Sequence, residues 1–314
     1  MAALRWSWRK TDRAGSVEAQ TSGEPESQLA DVRVLTDSTA YLDPDVAAEN
    51  RIEVVPLEVT VGGVPHLEGR DISSADLAEA LRKWTPVSTS RPSPARLLGA
   101  YEKLIADGAT EIVSVHLSGD MSGTCDAARL AARDTPVPVH VVDSRLLGMG
   151  LGYAALSAAH AAANGADGAS AAAAASSRAE GTRAFFYVDT LEHLRRGGRI
   201  GAAQALIGSA LAVKPLLGLQ DGRIVPLEKV RTSARALARL EELAVQAVPG
   251  ATGGDVMVDV TVHHLASPDR AEQLCARLKA RLPAVGDLRV SEIGAVVGAH
   301  VGPGMLGVVV SPAP

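Results

Sequence analysis

Val32-Arg33-Val34-Leu35-Thr36-Asp37-Ser38-Thr39 decides the fold class. Val32–Leu35 is a short, mainly apolar run that reads as a strand. Thr36–Thr39 closes it with side chains able to cap a helix. The same rhythm returns through the first half of the chain. Val54–Val61 reads as a second strand, Gly62-Gly63 as a turn, and Ser74–Lys83 as an amphipathic helix capped by Ser73 or Ser74. Thr89-Ser90-Arg91-Pro92-Ser93-Pro94 reads as a loop feeding a helix over Ala95–Asp107. Glu111–Leu117 is a strand, Ser118–Thr124 a hydroxyl-rich loop, Cys125–Arg133 a helix, and Val137–Val142 a strand ending in Asp143-Ser144. Strand, polar loop and helix in alternation imply an α/β protein with a mostly parallel sheet. Ligands of such sheets bind beyond the carboxyl ends of the strands. The loops Thr36–Thr39, Thr89–Ser93, Ser118–Thr124 and Asp143–Ser144 are therefore expected to converge on one edge.

Gly150–Ser177 is dominated by Ala and interrupted by Asn164-Gly165-Ala166-Asp167-Gly168, which reads as two helices joined by a turn. Beyond it lie a strand Thr182–Val188, a short helix Thr190–Arg196, a loop Gly197-Gly198-Arg199 and a helix Gln204–Ala212. Pro215–Leu219 and Arg223–Glu228 read as a hairpin turning at Asp221-Gly222. A helix Arg231–Ala247, a strand Asp255–His264, a helix Pro268–Leu282 and strands Leu288–Ile293 and Leu306–Val310 complete the pattern. The expected organisation is a disordered leader over 1–30, an α/β domain over 31–150 and a second α/β domain over 151–314.

Composition narrows the function. The 314 residues are 46% hydrophobic and 21% charged, the profile of a folded globular chain. The net charge of −5 disfavours non-specific nucleic-acid binding. Aromatic residues make up only 3%, so stacking platforms for bases or sugars are disfavoured too. Cys125 and Cys275 lie far apart and read as two thiols rather than a disulfide framework. The first thirty residues lack an apolar signal region. The longest apolar stretch, Ile293–Val310, holds Gly298, His300, Gly302 and Pro303, which argue against a spanning helix. A cytoplasmic protein is expected.

Chemistry-bearing residues form few recognisable constellations. Ser and Thr loops at helix N-termini bind anions, although each hydroxyl can equally be a cap for its own helix. His263 and His264 end a strand, where alternation turns one inward and one outward. Either is a structural imidazole, a donor to a carboxylate or a base; their spacing matches no metal motif. Arg195-Arg196-Gly197-Gly198-Arg199 is a solvated face or a contact for phosphates or an acidic partner, and the double Gly permits close approach. Gly302-Pro303-Gly304 lines a site or joins two strands. No nucleophile elbow, Walker motif or dinucleotide fingerprint is present.

In order along the chain, several segments resemble the DegV family of fatty-acid-binding proteins. They are Leu35–Thr39, Thr89–Ser93, Ser122-Gly123-Thr124, Val142-Asp143-Ser144, Leu191–Ile200, Val213-Lys214-Pro215, His264 before Ser267-Pro268-Asp269, and His300–Gly304. The resemblance covers about residues 31–311. It implies a first α/β domain with a mostly parallel Rossmann-like sheet and a second with a mixed sheet packed by helices. It also implies a fatty acid threaded into an apolar tunnel. Ser90, Ser122, Gly123 and His264 match positions expected to hold the carboxylate, with Thr60 as a further hydroxyl. Arg195, Arg196 and Arg199 match a surface that meets a separate ATP-dependent fatty acid kinase, which forms an acyl phosphate feeding phospholipid synthesis. The resemblance implies no catalytic residues, cofactor or metal in this subunit. Arg91 departs from a position that is often Gln, and Cys125 from one that is often aromatic. The alternatives are a fatty-acid sensor without a kinase partner and a stand-alone hydrolase using Ser90 or Ser122 with His264.

Overall fold

The first half builds a parallel sheet and a small antiparallel sheet from short strands. A computed structural model describes residues 30–206, 214–248, 257–282 and 284–313. Strand β1 (Val32–Asp37) runs into a single 3-10 turn, and helix α1 (Pro44–Glu49) leads to β2 (Ile52–Val55). Strands β3 (Glu58–Val61) and β4 (Val64–Leu67) follow, then α2 (Ser74–Arg82) and β5 (Val87–Ser90). Helix α3 (Pro94–Ala106), β6 (Glu111–His116), α4 (Thr124–Ala132) and β7 (Val139–Asp143) complete this half. Ser73 caps α2 through a reciprocal box with Asp76, and Ser93 caps α3 by accepting from Arg96 N. Strands β2-β1-β6-β7 form an all-parallel sheet.

Two expectations for this half need correction. The strand expected over Val54–Val61 is two strands in different sheets. Val54 and Val55 pair with Thr36 and Asp37 of β1, whereas Glu58–Val61 pair with β4 and β5 in a separate sheet of order β4-β3-β5. Pro56 separates them, since it has no N–H to continue a ladder. Thr89 and Ser90, expected in a loop, are strand residues paired with Val59 and Glu58. The Gly62-Gly63 turn is present, with φ of 58° and 88°, the left-handed backbone that a two-residue hairpin requires.

The second half opens with the Ala-rich pair α5 (Met149–Ala163) and α6 (Gly168–Gly181), as the sequence predicts. Then come β8 (Arg183–Tyr187), α7 (Glu192–Arg196), a 3-10 segment Gly201–Leu206, and the hairpin β9 (Lys214–Gln220) and β10 (Arg223–Val230). Helix α8 (Ser233–Gln246), β11 (Val258–His264), α9 (Pro268–Arg281) and β12 (Val285–Glu292) follow. Helix α10 (Ala295–Val301) and β13 (Leu306–Pro312) end the chain. The sheet order is β10-β9-β8-β13-β11-β12, with only β11 and β12 parallel. Helix α10, only seven residues long, occupies the front half of the apolar stretch Ile293–Val310. The leader through residue 29, the helix expected beyond Leu206, Val213 and the start of the strand expected at Asp255 lie outside the described residues.

Helices α5 and α6 pack on the parallel sheet through β1, β6 and β7 and on β13 of the mixed sheet. Ala154, Ala155, Ala158, Ala171 and Ala175 are fully buried there. Methyl side chains let this helical layer approach both sheets closely, so the halves share one continuous apolar cluster. The small sheet and α2 pack on α10, which fixes that late helix against early residues. Both cysteines are free. Among the described residues no helix is long and apolar enough to cross a membrane.

Candidate functional site

The carboxyl end of the parallel sheet is held by buried polar groups. The Asp37 carboxylate accepts from Thr39 N, Thr39 Oγ1 and Leu117 N and meets His116 Nδ1 at 3.0 Å. It thereby ties the end of β1 to the end of β6. His116 Nε2 lies 2.7 Å from Ser114 Oγ, which meets the Tyr101 hydroxyl at 2.9 Å. This Asp-His-Ser chain is fully buried and lines neither cavity described below. Asp143 accepts from Gly119 N, and Ser144 Oγ donates to His116 O. Ser118 Oγ donates to Gly222 O at the tip of the β9–β10 hairpin. Thr36–Thr39 and Asp143–Ser144 thus fasten the strand ends to one another. Of the hydroxyl loops, only those carrying Thr89, Ser90 and Ser122 reach a cavity wall.

That cavity spans about 570 Å³, part of it open to solvent, between the small sheet, the Met121–Gly123 turn, α7 and α10. Its mouth is polar, with Thr89, Ser90, Arg91, Ser122, Arg199 and His300. A second chamber of about 450 Å³ lies behind it, walled by Phe185, Phe186, Leu219, Met305 and Val309. Leu147, Ile224, Val297 and Val301 line both chambers, so they form a shared neck. The result is a channel with hydroxyls and cations at one end and, His263 apart, hydrocarbon at the other.

The structure brings Ser90 and Ser122 together on this mouth. Gly123 adjoins it: a side chain at 123 would run into the Arg91 guanidinium, whose Nη1 lies 3.4 Å from Gly123 O. Arg199, expected on a partner surface, also lines the mouth, donating to Met121 O and Gly197 O. Arg195 and Arg196 are exposed and paired with Glu192, and Arg196 sits 4.7 Å over the Trp84 ring. Thr60 and His264 line neither chamber. Thr60 pairs with Ser88 and Pro65 within the small sheet. His264 is buried beside Glu292, and burial pushes its pKa down.

The expectation that one of His263 and His264 faces outward is corrected, since both are buried. Strand β11 is internal, flanked by β12 and β13 with α9 packed against it, so neither face meets water. His263 lines the second chamber and accepts from Met149 N through Nε2. Its pKa is pushed down to about 4 by burial.

His300 and Thr89 are the site residues that sequence reasoning passed over. His300 Nε2 lies 2.9 Å from Thr89 Oγ1, while its buried Nδ1 faces Gly197 without a partner. Burial, then the Arg199 charge, push its pKa down to about 4, so the ring is neutral near pH 7. The close approach expected of the double Gly is present here: any side chain at 197 would strike this ring. A helical reading of 295–301 would have found His300, because Val296, Val297, His300 and Val301 recur on one helical face. Among the described residues no group of three or more His, Cys, Asp or Glu is placed to hold a metal ion.

Residues 31–313 match a family model described as "Uncharacterised protein, DegV family". A DegV domain-containing protein of Streptomyces coelicolor is 56% identical over 280 residues, covering 89% of this chain and 98% of that one. The chain belongs to the DegV family. Two solved DegV structures share the whole fold. A fatty-acid-binding DegV family protein from Thermus thermophilus superposes with a TM-score of 0.84 at 29% identity, over 90% of this chain and 99% of that one. DegV from Bacillus subtilis, described as a fatty acid binding protein, gives 0.82 at 31% identity, over 90% and 100% of the two chains. The parallel sheet and the mixed sheet are therefore set on a DegV framework.

Proposed function

We propose that this DegV chain binds a long-chain fatty acid and presents its carboxylate to a separate ATP-dependent kinase, which converts it to an acyl phosphate. The observation that carries the reading is the pair of adjoining chambers, polar at the mouth and, apart from His263, apolar behind it. Each acyl CH₂ transferred from water into the apolar chambers contributes roughly 0.8 kcal/mol. Ser90 and Ser122 stand at the mouth as neutral donors for the carboxylate. Neutral donors hold a carboxylate without the strong pairing of a buried guanidinium, leaving its oxygens nucleophilic. The fatty-acid-binding descriptions of the Thermus and Bacillus proteins support the same ligand class. Arg195 and Arg196 remain candidate contacts for the kinase, which would operate in the cytoplasm where ATP is available. A hydrolase reading gains no support from the mouth, where His300 engages Thr89 rather than Ser90 or Ser122.

The test is direct. Protein purified from several hosts is denatured, extracted and analysed by mass spectrometry, with fatty acid expected in the extract. Consistently empty extracts, together with no binding of added fatty acid, would reject the reading. Charge reversal at Arg195 and Arg196 should abolish kinase-dependent acyl phosphate formation while leaving lipid bound. Unchanged turnover would move the partner surface elsewhere.

A further inference from the structure

Two guanidiniums frame the mouth from opposite elements. Arg91 follows β5 and reaches Gly123 O; Arg199 follows α7 and reaches Met121 O at 3.1 Å. Ser122 therefore lies between two cations anchored on the residues either side of it. Among the described residues no Asp or Glu forms an ion pair with either guanidinium, and Arg91 makes only its single long hydrogen bond to Gly123 O. Most donors of the Arg91 fork are thus uncommitted at a cavity that its side chain lines.

A carboxylate carries one negative charge and has the hydroxyls of Ser90 and Ser122 within the same mouth. It would leave one of the two framing cations without a counter-charge. A phosphoryl head carries close to two negative charges near neutral pH and three acceptor oxygens, which suits two planar forks. We infer that Arg91 is a specificity-determining residue which, with Arg199, makes the mouth favour a doubly charged phosphoryl head group over a carboxylate on the same acyl chain. This rests on the fatty-acid reading above and extends it to the head group. Both guanidiniums are exposed, so the preference weakens as salt rises. The division of labour is physical: hydroxyls hold the monoanion, and the second cation acts when charge is added.

The experiment uses the full delipidated chain and three probes of matched chain length: an alkyl carboxylate, an alkylphosphonate and an alkanol. Affinities are measured by displacement of a fluorescent fatty acid for the wild type, Arg91→Gln and Arg91→Lys. The wild type should bind the phosphonate most tightly. Arg91→Gln should weaken the phosphonate about tenfold, near 1.4 kcal/mol, move the carboxylate much less and leave the alkanol unchanged. Arg91→Lys should keep part of the preference, because charge survives while the fork is lost. Equal wild-type affinities for phosphonate and carboxylate would overturn the proposal, as would an Arg91→Gln effect equal for all three probes. A wild type that binds none of the three would instead overturn the fatty-acid reading on which the proposal stands.

Discussion

Ser90 and Ser122 differ in how freely they can serve a ligand. Ser122 Oγ is hydrogen-bonded to Thr124 Oγ1 at 2.8 Å, whereas Ser90 is exposed at the end of β5. Each hydroxyl hydrogen bond to a carboxylate contributes about 1.5–3 kcal/mol. Ser90→Ala and Ser122→Ala are each expected to weaken fatty acid binding about tenfold to a hundredfold, read by calorimetric titration, with thermal stability nearly unchanged. Wild-type affinity in both variants would remove the hydroxyls from the head-group site. Both serines were legible in the sequence as members of hydroxyl loops, Ser90 in one expected to feed a helix and Ser122 in one expected to follow a strand. His300 was not, because its role depends on Thr89, 211 positions away in the chain. Thr60 and His264 show the converse. Their motifs were legible, yet pairing within β3 and burial beside Glu292 place both away from the cavity wall.

Helix α10 supplies Val296, Val297, His300 and Val301 to the channel, and it is held by a carboxylate from an early loop. Glu68 Oε1 accepts from Val296 N at 2.7 Å, and Oε2 accepts from Ser38 Oγ at 2.5 Å. Burial pushes the Glu68 pKa up to about 7. The raised value means that the folded state holds this proton more tightly than the unfolded chain does. The stabilisation is complete below about pH 4.5 and is lost as pH rises through about 7. His263 and His300 work in the opposite sense. Their pKa values are pushed down to about 4, so their contribution is complete above about pH 6.5 and is lost as pH falls through about 4. Comparing the wild type with Glu68→Gln cancels the histidines. The variant should gain melting temperature relative to the wild type as pH climbs from about 5 to about 8, and parallel profiles would show that Glu68 does not titrate in the fold. Helix α10 was not read from the sequence, and neither was its capping: a lone Glu after a hairpin carries no local sign that a helix 228 residues later will need it.

At the scale of the whole molecule, the Ala-rich layer is pinned to the mixed sheet by one buried ion pair. Arg178 of α6 donates to Asp259 of β11 at 2.6 Å and to Ser311 of β13, and its guanidinium lies 5.2 Å from the Tyr153 ring centroid. Asp259 also accepts from Asp287 N. Removing one member of a buried pair leaves the other charged and unsatisfied, a loss of about 3–5 kcal/mol. Arg178→Met should destabilise urea unfolding by about that amount. Arg178→Met combined with Asp259→Leu should recover much of it. A double variant no better than the single one would mean that the Asp259 charge is not what destabilises it.

The sequence by itself determined the elements: period, caps and turn residues are local, so the βα rhythm of the first half, the Ala-rich helix pair and the hairpin turns could be read from neighbouring residues. It also carried the order of motifs that marks the DegV family. The tertiary structure decided what those motifs surround. Pro56 sends β2 and β3 into different sheets, α10 brings His300 to Thr89, and the hairpin sets Ile224 into the neck shared by both chambers. Those contacts join residues far apart in the chain, and a channel is the space left between packed side chains, which no local pattern encodes.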